Sequence, residues 1–115
     1  MVARALWEGS GLGPDDMDAA MLYDHFTPIV LMQLEELGFC GRGEAKDYIR
    51  DGSIEMTGKL PVNTHGGLLG EAYIHGLNHI TEAVRQLRGT AANQLPSVDH
   101  IVITAGMSGL LLGRL

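Results

Sequence analysis

Cysteine is nearly absent from the chain: Cys40 stands alone. A single thiol excludes an intrachain disulfide and a cysteine-based zinc cluster, and it fits a reducing compartment. Basic residues are scarce as well. Eight Lys and Arg against fourteen Asp and Glu leave a formal net charge of −6. The eight are scattered, so no basic patch for nucleic-acid phosphates is expected. No apolar run approaches the roughly 20 residues of a spanning helix, and the N-terminus lacks the basic-then-apolar order of a signal peptide. A soluble, cytoplasmic protein is the expectation. What is abundant is apolar residues, at 45%, and glycine, at sixteen of 115 positions. That glycine share is about twice the usual roughly 7%, so a packed single domain with many tight turns is implied.

Residues 2–9 are good helix formers that stop at a glycine. Residues 11–16 read as a turn around Pro14, and residues 18–23 as a short buried strand. Thr27-Pro28 is a helix-start signal, with Thr as the cap and Pro in the first turn, for a helix over 28–37 that stops at Gly38. Its apolar residues Ile29, Val30, Leu31, Met32, Leu34 and Leu37 surround most of the circumference, which predicts burial on more than one side. A short helix over 44–50 and an irregular stretch over 52–61 follow. From Leu68 the positions Leu69, Tyr73, Gly76, Leu77, Ile80, Val84 and Leu87 recur at spacings of three and four, predicting one long helix to Arg88 with a single buried stripe. After a linker, His100 to Thr104 reads as a strand whose antiparallel partner is 110–112. The sum is a small layered α/β unit with a mixed sheet, packed helices and a C-terminal hairpin.

Of the five histidines, His65 has the best position, beside Gly66 and Gly67, which let a ligand approach the backbone. Its bland reading is a loop buttress. His75 and His79 have the i, i+4 spacing of two ligands on one helical face, but no third ligand is indicated and no metal is expected. His25 and Asn63 read as local scaffolding, Asn63 through side-chain bonds to backbone. Glu35, Glu36 and Glu82 read as solvated helix faces, and Arg85 and Arg88 as complements to a helix C-terminus.

Several stretches together resemble the thiolase superfamily: Leu22-Tyr23-Asp24-His25-Phe26, then Leu34-Glu35-Glu36-Leu37-Gly38-Phe39-Cys40-Gly41, then Pro61-Val62-Asn63-Thr64-His65-Gly66-Gly67. The run Gly66-Gly67-Leu68-Leu69-Gly70-Glu71-Ala72-Tyr73-Ile74-His75-Gly76 is similar to the lipid-transfer or sterol-carrier branch, which includes acyl-CoA thiolases and steroid side-chain retro-aldolases. The resemblance implies that residues 1–115 form part of a thiolase-like C-terminal domain, without the N-terminal half that carries the family's acyl-accepting nucleophile. It also implies an acyl-CoA substrate, with coenzyme A entering as part of that substrate and no separate cofactor.

The departures from the family pattern point to a different reaction. Ordinary thiolases place an Asn or His where this chain has Tyr23, a His where it has Tyr73, and a C-terminal cysteine that is missing here. Cys40 does not fill that role. The pair of phenols suits retro-aldol cleavage of a β-hydroxyacyl-CoA, with Tyr23 and Tyr73 in proton transfer. His65 and the helix start at Gly66-Gly67 are then the groups expected to favour negative charge. Catalytic roles for Tyr73, Tyr23 and His65, and substrate contacts at Asn63, Gly66 and Gly67, are the resulting expectations. The alternatives are a thiolase-type acyltransferase, or a non-catalytic half-domain for dimerisation or partner docking. Expected partners are a second copy or another thiolase-fold half, together with a small OB-fold acyl-CoA-binding protein.

Overall fold

The computed structural model describes residues 2–115 as a three-stranded mixed sheet clasped between helices. Strand β1 is Ala19–Met21, β2 is His100–Ala105 and β3 is Ser108–Gly113, in the order β1-β2-β3. β1 runs parallel to β2 with Ala20 opposite Val102, and β2 turns into antiparallel β3 with Val102 opposite Leu111. Beyond β1 the sheet continues only as a single parallel bridge between Ala20 and Val62. The expected α/β class, mixed sheet and hairpin are all present, the hairpin longer than its apolar run suggested.

Side chains alternate across the sheet, as the two-residue period of a strand requires. Ala20, Leu22 and Val102 face one way, onto helix α1 (Val2–Ser10), helix α2 (Thr27–Glu36) and Leu60. Ala19, Met21, Ile101 and Ile103 face the other way, onto Ala83 of helix α5 (Leu77–Arg88) and onto Leu95 and Val98. Helix α3 (Ala45–Arg50) packs beside α2. No helix among the described residues is long and apolar enough to cross a membrane.

Three expectations are corrected. First, α2 starts one residue early: Phe26 is the cap, Thr27 is already helical, and no side chain caps the first turn. Nor is α2 buried all round, because only Leu34 is fully buried while Met32 and the preceding Phe26 are about two-thirds exposed, at 64% and 67%.

Second, the long helix over 68–88 is two helices, α4 (Gly67–Gly70) and α5, separated by an irregular segment. The break follows from backbone geometry. Ala72, His75 and Gly76 all take positive φ, at 40°, 48° and 89°, which no α-helix accommodates. A Cβ at Gly76 would also press on Ala105 and the Tyr23 ring.

Third, the buried stripe is therefore not the apolar one. Leu69, Tyr73 and Leu77 are exposed, while Asn78, His79, Glu82, Ala83 and Gln86 are buried. Glu82 is thus no solvated face: it accepts the Thr64 hydroxyl at 2.6 Å and Gln86 Nε2 at 2.9 Å.

Candidate functional site

The C-terminal end of β1 is held by hydrogen bonds that leave its backbone little freedom. Leu22 N–H donates to Asn63 Oδ1 at 2.8 Å, and Asn63 Nδ2 donates back to Leu22 O at 2.9 Å. The side-chain amide thus imitates a neighbouring strand. Asn63 takes a φ of 52°, a region that Asn tolerates better than most residues. One residue on, Tyr23 N–H donates to Thr104 Oγ1 at 2.9 Å, and Tyr23 O accepts Gln33 Nε2 at 2.8 Å. The Thr104 hydroxyl in turn donates to Gln33 Oε1.

With its backbone fixed, Tyr23 projects to the end of the sheet, where its hydroxyl lies 3.2 Å from that of Tyr73. The rings meet edge to face, 6.5 Å between centroids. Tyr73 reaches this point because the break between α4 and α5 lets its segment fold over the sheet end; a continuous helix would leave it on a helical stripe. The hydrogen bond to Tyr23 is the main cause that holds the Tyr73 phenol above its ordinary pKa, with burial adding to it. Tyr73 is still 44% exposed, so a ligand reaches the pair from solvent. His25 stacks obliquely on Tyr23 at 4.8 Å, and the His75 ring stands edge-on to Tyr73 at 5.5 Å.

A second cluster lies behind the phenols. His65 Nε2 is 3.0 Å from His79 Nδ1, and His79 Nε2 is 2.9 Å from Leu22 O and 3.4 Å from Asp24 Oδ1. Burial is the largest cause that pulls both imidazoles below their ordinary pKa, and for His79 the neighbouring His65 adds to it. Both rings are therefore neutral at neutral pH, and His65 supplies no positive charge to a phenolate. The N–H at the start of α4 is engaged too: both Asp24 oxygens accept Leu68 N–H, at 3.1 and 3.2 Å. Gly67 makes room for this contact, because a Cβ there would collide with the Asp24 carboxylate.

Of the residues singled out from sequence, Tyr23, Tyr73 and His65 lie at one end of the sheet, with Asn63, Gly66 and Gly67 forming the turn beside them. His75 and His79 do not share a helical face, since His75 precedes α5; among the described residues no group of ligands could hold a metal ion. Cys40 is part-buried, its thiol pushed up by burial, and it lies beside Tyr48 rather than at the Tyr23–Tyr73 pair. Sequence reasoning missed Asp24, His79, Gln33 and Thr104 as parts of the site. Gln33 and Thr104 are bonded to each other across 71 residues, a separation that leaves no local signal. Exposed apolar side chains cluster in the segments around the phenols: Phe26, Leu69, Ile74, Leu77 and Met107. A concavity of about 780 Å³ is lined by Met17, Asp18, Phe39, Tyr48 and Leu95 at the opposite end of β1. Neither Tyr23 nor Tyr73 lines it, so volume and chemistry disagree, and the convergence of titratable groups makes Tyr23 and Tyr73 the candidate site.

The family model for thiolase C-terminal domain-like proteins matches residues 2–113. The chain is 63% identical to the 17-hydroxy-3-oxo-4-pregnene-20-carboxyl-CoA lyase of Mycobacterium tuberculosis, covering 98% of this chain and 30% of that protein. It is 62% identical, over the same shares, to the steroid side-chain-cleaving aldolase of Thermomonospora curvata. A solved structure of an Ltp2–ChsH2(DUF35) aldolase superposes with a TM-score of 0.96 at 62% identity, over 98% of this chain and 31% of that one. The chain therefore spans about three-tenths of the length of these relatives.

Proposed function

Since this chain belongs to the thiolase C-terminal domain-like family, and to its steroid side-chain-cleaving branch by similarity, we propose that it contributes the proton-transferring half of an acyl-CoA retro-aldolase site. The observation that carries the proposal is the 3.2 Å contact between the Tyr23 and Tyr73 hydroxyls at the open end of the sheet. The substrate is a β-hydroxyacyl-CoA bearing a steroid or similar lipid body, which suits the apolar rim of Phe26, Leu69, Ile74, Leu77 and Met107.

In the proposed reaction Tyr23 is the base that takes the β-hydroxyl proton. The electron pair of that O–H bond becomes the π bond of the new ketone. The Cα–Cβ pair moves onto the thioester as an enolate, and Tyr73 protonates the enolate at Cα. Its phenol, held above its ordinary pKa, stays protonated at neutral pH and so has a proton to give. A proton passing from Tyr23 to Tyr73 across the shared hydrogen bond then restores the starting state. His65 acts here through His79, and Asn63, Gly66 and Gly67 form the wall against which the thioester lies. Coenzyme A is part of the substrate, and no cofactor is required by this chemistry.

The remainder of the site comes from residues outside this chain, from the other thiolase-fold half, a second copy, or a small OB-fold acyl-CoA-binding partner. The exposed Phe26 and Met32 favour such completion. Tyr73→Phe and Tyr23→Phe in the complete polypeptide should each lower turnover of a β-hydroxyacyl-CoA by about 10²–10⁴-fold, the usual worth of general acid–base catalysis. Full turnover by both variants would defeat the proposal. Product formation that requires free coenzyme A would favour acyl transfer, and partner binding without acyl-CoA affinity would favour a docking module.

A further inference from the structure

His79 is fully buried, where an unpaired polar ring is costly. Its Nε2 faces two acceptors, Leu22 O at 2.9 Å and Asp24 Oδ1 at 3.4 Å, so that nitrogen carries the hydrogen. The neutral ring then offers a lone pair at Nδ1, which accepts His65 Nε2–H at 3.0 Å. One tautomer of each ring, protonated at Nε2, satisfies every contact in the chain of bonds. Leu22 and Asp24 are the residues on either side of Tyr23. A single imidazole N–H thus ties down the backbone before Tyr23 and lies beside the carboxylate after it, while the same ring stands edge-on to the phenol at 6.4 Å.

We propose that His79, oriented by His65, is the positioning residue that aims the Tyr23 phenol at Tyr73. The inference rests on the reading of the two tyrosines as the reacting pair and extends it to a residue that need not touch substrate. The other supports act differently: His25 stacks on the Tyr23 ring at 4.8 Å, but its ring makes no hydrogen bond to the residues on either side of Tyr23. Asn63, Thr104 and Gln33 hold only the backbone of Leu22 and Tyr23. Asp24 is tied on the far side by Leu68 N–H and by His79. Without His79, the Leu68 contact alone sets Asp24, and of the rings packed on Tyr23 only His25 and Tyr73 remain.

Two substitutions in the complete polypeptide test this. His79→Leu removes the N–H while keeping an apolar side chain; His79→Gln returns an amide N–H near the Nε2 position. For a β-hydroxyacyl-CoA, His79→Leu is expected to lower kcat by about ten- to a hundredfold, the scale of a misplaced reacting group, with KM nearly unchanged. His79→Gln should recover most of that loss. In a Tyr23→Phe background His79→Leu should cost nothing further, because the group it positions is gone. Equal losses in both backgrounds would overturn the proposal.

A second measurement needs no turnover. The late phenol ionisation that Tyr73→Phe abolishes in ultraviolet difference titration should move back toward an ordinary tyrosine in His79→Leu. An unmoved titration would overturn the positioning role. Full turnover by Tyr23→Phe would instead defeat the reading of the tyrosines, leaving the titration to decide on His79. If His79→Leu fails to fold, ¹⁵N shifts of the unaltered protein decide: Nε2–H on both rings is expected, and Nδ1–H on His79 would overturn the assignment.

Discussion

Removing the Asn63 side chain should be among the most damaging single changes in the chain, although Asn63 itself is only part-buried. Leu22 is fully buried, and its N–H has Asn63 Oδ1 as its partner. In Asn63→Ala that donor is orphaned, which costs roughly 1–3 kcal/mol. Leu22 O keeps the His79 contact, so the acceptor side adds little. The backbone adds a second cost, because φ at residue 63 is 52° and alanine resists the left-handed region by up to about 1 kcal/mol more than asparagine does. Together these give about 1–4 kcal/mol, a large share of the roughly 5–15 kcal/mol that stabilises an ordinary domain. Asn63→Gly separates the two contributions. It loses the same hydrogen bonds without the backbone penalty, so it should be about 1 kcal/mol less damaging than alanine. The backbone pairs from Asn63 N–H to Ala20 O and from Ala20 N–H to Pro61 O survive in both variants, so the loop stays attached and the comparison reads the clamp alone. Urea unfolding of the complete polypeptide measures both differences. Asn63→Ala within about 1 kcal/mol of the parent, or Asn63→Gly no better than alanine, would refute the reasoning.

Gly67→Ala should be much worse than Gly89→Ala, although both glycines have φ near 70°. Gly89 has open space around it and Gly67 has the Asp24 carboxylate, so melting temperatures that fall equally would refute the steric account. Stability should also depend on pH through His65 and His79. Both are depressed in the folded state, so the unfolded chain binds protons more readily. Their contribution is complete above the ordinary histidine value near 6.5 and is lost as pH falls below it, levelling off under the folded pKa values. Urea midpoints at pH 7.5 and 5.5 should differ accordingly. The difference should shrink in a His65→Gln, His79→Gln double variant.

The elements built from local signals were legible in the sequence. The β1 segment, α2 with its Pro28 start, and the Ile101–Val102–Ile103 strand all emerge from apolar runs and turn residues, and the Tyr23 and Tyr73 positions emerge from family resemblance. The break between α4 and α5 was not legible, because Ala72 and His75 are ordinary residues by propensity and only tertiary packing drives them to positive φ. The spacing of Leu69, Tyr73 and Leu77 mimics a helical stripe that the break dissolves. For the same reason the burial of Glu82 and Gln86 was hidden: each depends on Thr64 or Asn93, which come from other segments. The Asp24 contact with Leu68 spans 44 residues and has no periodic trace.

The polar joint between the 63–67 turn and α5 has a consequence for how this region can change. Thr64, Glu82, Gln86 and Asn93 are linked donor to acceptor: Gln86 Nε2 reaches Thr64 Oγ1, Glu82 Oε1 and Asn93 O, and Asn93 Nδ2 returns to Thr64 O. Apolar cores drift through volume-preserving swaps, one residue at a time. This joint cannot, because each single step strands a buried donor or acceptor. The four positions form one heritable unit, and an engineer transplanting the turn to another scaffold would have to carry all four across as a cassette.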